Sequence, residues 1–293
     1  MPAVGFKYPN GNTVSFDDVR EGNVDILEMG MSLPTLIEMS KERDPNRKPS
    51  TTELLVGTCE SYLKRTKDYF VDPQDRAFSL AGTMHHSRLE KHEDDRHLLE
   101  QKLEEFNITG IADLYDKKTK MLLDYKNTGS YKCAQLLGMT YNLTPDPSGA
   151  KYKSSGKWGR KGSPKMVKQW YRDEGLAEYG DWGWQLNWYR YLLTKSGYEV
   201  DNMYIQVTLR DGGLAVSRDR GLDKHIYLIE VPKYDDEVLE NRFLKARDEL
   251  TKALETGNLP QKCSSEQTWN GRKCQSYCDV RNLCPYNNGS VNG

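Results

Sequence analysis

The chain has 293 residues, of which 37% are hydrophobic and 29% charged, and a formal net charge of −1. This composition excludes a disordered or fibrous chain and suits a polar-surfaced globular fold. The near-neutral balance means that any nucleic-acid-binding charge has to be local. No apolar run has the length of a membrane span. Asp17, Asp18, Glu21, Asp25 and Glu28 occupy an N-terminal region that lacks the basic start and apolar stretch of a secretory signal. A cytoplasmic location without a membrane partner is therefore expected.

Residues 1–48 hold scattered apolar positions among Gly, Pro and charges and read as an extension with little core of its own. Residues 49–293 read as one domain. Ser50 or Thr51 is placed to cap a helix containing Glu53 and running through Tyr62 and Leu63. A second helix is expected from near Ala81 toward His92. At residues 108–126 the period changes: ITGIADLYD and KMLLDYK flank the turn DKKTK, as in a β-hairpin. Residues 128–183, rich in Gly, Ser and Lys, read as a long polar connection. QLNWYRYLL has a helical pattern, with Gly197 placed to end it. MYIQVTLR and HIYLIEV read as strands. Val238, Leu239, Phe243, Leu244, Leu250 and Leu254 give one helix face, with Gly257 as its stop. A cysteine-rich tail follows over residues 259–293.

The chemistry concentrates on Asp113 and on Asp124-Tyr125-Lys126. Strand side chains alternate, so Asp124 and Lys126 share a face, and a hairpin brings Asp113 alongside. Two carboxylates and an ammonium at one sheet edge suit Mg²⁺ or Mn²⁺. Upstream, His86 and Glu90 lie four residues apart on a helix face; downstream, Gln185 and Tyr189 do the same. Singly, these pairs are common on helix surfaces, and a short D-x-K is common in hairpins; their order carries the weight.

That order is Gly82 to His86, Gly110 to Asp113, Asp124 to Lys126, and Gln185 to Tyr189. It resembles the RecB-like branch of the PD-(D/E)XK nucleases, and in particular the CRISPR-associated RecB-like exonucleases that carry a 4Fe-4S cluster, with related phage nucleases. In those proteins a lone cysteine ahead of Tyr-Leu and a closing cysteine trio accompany the nuclease motifs. Here Cys59-Glu-Ser-Tyr62-Leu63 and Cys274, Cys278 and Cys284 occupy these places. The resemblance implies an α/β, restriction-endonuclease-like core, a mixed sheet flanked by helices, ending in an iron–sulfur tail. It also implies metal ligation by His86, rather than the adjacent His85, with Asp113, Asp124 and the Tyr125 carbonyl. Lys126 would be the catalytic lysine, and Gln185 and Tyr189 would line the site and hold substrate. Glu90 would support it from behind.

The chain departs from the pattern in its C-x3-C-x5-C spacing, where the first gap in the family is usually two residues, and in the additional Cys263. The fourth cluster ligand is Cys59 by alignment or Cys263 by proximity in sequence. Four thiolates also suit zinc; spacing leaves this open, and the resemblance favours iron–sulfur. Cys133 reads as a structural thiol.

Between Lys151 and Arg172 the chain carries cations including Lys157, Arg160, Lys161 and Lys165, no acid, and interleaved aromatics including Trp158. Cations for phosphates and rings for bases suit single-stranded nucleic acid; a solvated loop is the alternative. Together these features lead us to expect metal-dependent hydrolysis of DNA by an exonuclease acting on single-stranded ends. A structure-specific endonuclease or a non-catalytic DNA-binding or recombination accessory protein on the same fold are the alternatives.

Overall fold

The computed structural model describes residues 3–89, 91, 94–157 and 159–287; Glu90, His92 and Trp158, all named above, lie outside the described residues. The chain begins with β1 (Ala3–Lys7) and β2 (Thr13–Ser15), followed by the short helices α1 (Phe16–Glu21), α2 (Ile26–Met29) and α3 (Leu33–Met39). Phe6, Phe16, Val19, Leu36 and Met39 are buried together in a core of their own. The expectation of a coreless extension is corrected. Its helices are four to seven residues long, too short to display a period.

Ser50 caps α4 (Thr51–Leu55) through a reciprocal capping box with Glu53. The helix expected through Leu63 is broken before α5 (Thr58–Thr66). Gly57 makes the break at φ +110°, and a Cβ there would lie 2.7 Å from Cys263 Sγ. The break admits the C-terminal tail. β3 (Tyr69–Val71) runs parallel to β1 and completes a sheet of order β2-β1-β3. Helix α6 (Pro73–Leu89) starts earlier than expected, at a proline suited to a first helical turn.

The main sheet comprises β4 (His97–Glu105), β5 (Ile108–Asp116) and β6 (Met121–Thr128), joined later in the chain by two more strands. After β6 come α7 (Ser130–Leu136), β7 (Met139–Pro145), β8 (Met166–Arg172) and α8 (Gly180–Lys195), then β9 (Asn202–Leu209), α9 (Ala215–Arg218), β10 (Ile226–Glu230) and α10 (Asp236–Thr256). The order is β10-β9-β6-β5-β4; β6 and β9 are parallel and the other pairs antiparallel. The architecture is thus mixed α/β, with helices flanking mixed sheets. Residues 128–183 are not a structureless connection: they hold α7, the start of α8 and the antiparallel β7–β8 hairpin. Both faces of that hairpin are largely exposed; β7 alternates Met139, Tyr141 and Leu143 with polar residues, whereas β8 carries no such period.

Helix α8 buries Leu186, Trp188, Tyr191, Leu192 and Leu193 against the sheet and α10. Trp188 stacks on Phe243 with centroids 4.4 Å apart. A helix buried nearly all round is central to the fold, and α8 brings Gln185 and Tyr189 to the strands that carry the acidic residues. Among the described residues no helix is long and apolar enough to cross a membrane.

Candidate active site

Cross-strand pairing of β5 with β6 runs from Asp116↔Met121 to Leu114↔Leu123 and then stops. β6 continues beside β9 to Thr128. Where the two strands part, Asp113 Oδ2 accepts the Tyr125 N–H at 2.6 Å. Asp124 and Lys126 project to the same side, as their spacing requires: Lys126 Nζ is 2.8 Å from Asp124 Oδ2. Asp124 is 2% exposed. Neither of its oxygens accepts a hydrogen bond among the described residues, so the ammonium is its main compensation. A buried carboxylate left this way is costly without a further cation.

His86 Nδ1 lies 3.5 Å from Asp113 Oδ1 and 3.4 Å from Glu100 Oε1. One ligand atom from each of His86, Glu100 and Asp113 falls within 4.8 Å of the others. Glu100 comes from β4, at the position facing Asp113 between Leu99↔Leu114 and Gln101↔Ala112, with φ +46°. His85 and His86 both set their rings edge-on to Tyr125, at 6.0 and 6.1 Å. Burial and then the neighbouring Asp124 push the Asp113 carboxyl up to about 7. The Glu100 hydrogen bond, followed by the Asp113 charge, raises His86 against the opposing effect of burial. These donors fit Mg²⁺ or Mn²⁺: hard oxygens, one imidazole and a buried carboxylate with only the Lys126 ammonium beside it among the described residues.

Lys126 Nζ donates to Gln185 Oε1 at 3.2 Å, and Gln185 Nε2 donates to the Tyr189 hydroxyl at 2.9 Å. The ammonium is thus fixed between a carboxylate and an amide. Gly110 has a steric role, because a Cβ there would approach the Tyr189 ring to 2.6 Å. A Cβ on Gly82 would meet nothing within 4 Å, so packing does not explain that glycine.

Cys59, Cys263, Cys274, Cys278 and Cys284 line one cavity between α5 and the tail. Both candidates for the fourth cluster ligand therefore reach it. The segment between Cys274 and Cys278 lies in a π turn over Lys273–Tyr277, closed by Cys278 N–H to Lys273 C=O at 2.9 Å. Glu60 on α5 pairs with Lys273 at 2.6 Å, and Lys64 pairs with Asp279 at 2.8 Å. A hydrogen bond from Cys59 holds the Cys263 thiol down at about 6, whereas burial pushes Cys278 up to about 11. Among the described residues no three cysteine sulfurs lie within 4.8 Å of one another. Cys133 lies away from this set, wholly buried.

No protein-family model and no curated protein matches the chain. Among solved structures it is similar to one titled "Crystal structure of SSO0001", with 14% identity over 86% of this chain and 93% of that one, at a TM-score of 0.38. A likeness of that extent carries no argument about activity.

Lys157, Arg160, Lys161 and Lys165 are positioned near the tip of the β7–β8 hairpin, largely exposed. Lower on that hairpin, Lys168 Nζ sits 4.2 Å from the Tyr141 ring centroid. Two residues near the acidic centre were not expected from the sequence. Glu100 lies in a segment whose strand was not foreseen, and Trp182 has its ring 5.7 Å from Lys126 Nζ. HLLEQKLEE, with its apolar residues at Leu98, Leu99 and Leu103, has no period-two pattern that marks β4; nothing local marks Trp182.

Proposed function

We propose that the chain is a Mg²⁺- or Mn²⁺-dependent deoxyribonuclease of the PD-(D/E)XK type that hydrolyses phosphodiester bonds as an exonuclease on single-stranded ends. The observation that carries this reading is the parting of β5 and β6 at Asp113 and Asp124, with Asp124 buried beside Lys126. His86, Asp113, Asp124 and the Tyr125 carbonyl would hold the cation, with Glu100 within reach of the first two. Bound there, the metal would offset charge on the phosphate as a Lewis acid. Lys126 places a positive charge beside the reacting group, and Gln185, oriented by Tyr189, keeps that ammonium in position. The cysteine cavity would hold a 4Fe-4S cluster that staples the tail to α5, in a protein working in a reducing, cytoplasmic setting. The exposed cations of the β7–β8 hairpin would contact the phosphates of a single strand.

The test is anaerobic purification followed by Mn²⁺-dependent digestion of end-labelled linear and circular single strands, with EDTA and Asp124→Asn controls. Linear strands should be consumed from an end while circles survive. Cut circles would make the protein an endonuclease. Binding without any cleavage would make it a non-catalytic DNA-binding protein.

A further inference from the structure

A cleft of about 540 Å³ is lined by the N-terminal unit and by α4, α5 and α6. Its walls carry six cationic side chains: Lys41, Arg43, Arg47, Lys64, Arg65 and Arg76. Three carboxylates face them, Glu38, Glu42 and Glu53. Each acid is already engaged: Glu38 by Lys41, Glu42 by Arg20 from outside the cleft, and Glu53 by a two-pronged contact from Arg65 at 2.7 Å. Arg47 shares Glu53, at 3.2 Å, and donates to the Asp44 carbonyl at 2.9 Å. Arg43 has no hydrogen bond or ion pair among the described residues. Arg76 donates to the Met39 carbonyl and lies over the Phe16 ring at 5.4 Å, with no carboxylate partner among the described residues. Burial, together with repulsion from Arg65 and Arg43 and against the pull of Glu53, lowers Arg47 below its ordinary value. Lys64 is paired with Glu60 and Asp279, which leaves Arg43 and Arg76 as the guanidiniums of the cleft without a carboxylate among the described residues, and their planar forks match phosphate oxygens.

The cleft is connected to the acidic centre by one helix. Arg76, Ser79 and Thr83 of α6 line the cleft, and their spacing puts His86 on the same face. From Arg76 to His86 the axis rises about 15 Å, the span of a few nucleotides of a single strand. We infer that this cleft is a phosphate-binding channel that holds a single nucleic-acid strand a few nucleotides away from the His86–Asp113 centre. In naming a strand as ligand, the inference rests on the nuclease reading. The arginine cleft itself is independent of that reading.

Binding of a fluorescent oligothymidylate, followed by anisotropy in EDTA over a salt series, tests this without requiring cleavage. Arg43→Glu is the variant, since among the described residues no hydrogen bond or ion pair involves Arg43; Lys252→Glu on the exposed face of α10 is the control. Arg43→Glu should weaken binding severalfold and reduce the log–log salt slope by about 0.7 for each phosphate it no longer neutralises, with an unchanged melting temperature and an unaffected control. Inorganic pyrophosphate should compete for the wild-type site. Equal affinity and slope in Arg43→Glu and wild type would overturn the channel, even if pyrophosphate still bound. A wild-type protein that binds in this way but never cleaves would sink the nuclease reading alone.

Discussion

Asp113 takes the backbone N–H of Tyr125 as a partner at 2.6 Å, replacing the strand partner that β6 loses when it leaves β5. This side-chain-to-backbone bond fixes one carboxylate beside a second, Asp124, inside the fold. The cost of that pairing is visible in the Asp113 carboxyl, which burial and Asp124 push up to about 7 from its ordinary 3.8.

A pH dependence follows. A carboxyl whose folded value exceeds its unfolded one keeps its proton longer in the folded state, so its contribution to stability is present below about 4 and is lost as pH rises through about 7. The melting temperature of metal-free protein should therefore carry a falling component across that window, and Asp113→Asn should flatten it. Stabilisation by added Mn²⁺ should grow over the same range, because the cation competes with the proton. Parallel pH profiles for wild type and Asp113→Asn in scanning fluorimetry would contradict this.

Gly110→Ala tests the packing that orients Tyr189. The added methyl would lie 2.6 Å from the ring, and overpacking of this kind costs about 1–3 kcal/mol. Chemical denaturation should show that loss, and turnover should fall because Tyr189 holds Gln185 and Gln185 holds Lys126. Gly82→Ala, with open space at its Cβ inside α6, should leave turnover unchanged and raise stability by about 0.5–1 kcal/mol through helix propensity. Equal stability of the two variants would remove the steric account of Gly110.

How much of this was legible in sequence differs by region. The β5–β6 hairpin was, because a turn-rich pentapeptide separates two alternating runs, and period-two spacing alone put Asp124 and Lys126 on one face. Glu100 was not, since its place depends on cross-strand register and a positive φ rather than on any local pattern. The N-terminal core was missed because its elements are too short to show periodicity. Likewise, the meeting of Cys59 with Cys263 joins distant parts of the chain around Gly57, and only the tertiary fold brings them together.

The thiol cavity should give brown protein with bound iron and sulfide when purified anaerobically. Cys274→Ser, Cys278→Ser and Cys284→Ser should each bleach it and lower its melting temperature, because cluster binding is coupled to folding. Comparing Cys59→Ser with Cys263→Ser identifies the fourth ligand: one should bleach the protein and the other keep its visible absorbance. Stoichiometric zinc without iron, in protein made under iron-replete conditions, would refute the cluster.

On the β7–β8 hairpin, Lys157→Gln, Arg160→Gln and Lys161→Gln combined should weaken single-strand binding while leaving turnover at saturating substrate nearly unchanged. Every phosphate that these cations cease to neutralise should lower the log–log salt slope by about 0.7. An unaltered slope would make this tip a solvated loop.

The most direct test of the central claim is to measure Mn²⁺ affinity and single-strand cleavage side by side in wild type, Asp124→Asn and Lys126→Ala. Asp124→Asn removes a buried charge assigned to the metal and should lose both affinity and cleavage. Lys126→Ala removes no ligand; it should retain much of its Mn²⁺ affinity while turnover falls by about a hundredfold or more, the scale for one preorganised electrostatic group. Cleavage at wild-type rates in both variants, with contaminating nuclease excluded, would contradict the assignment of this site.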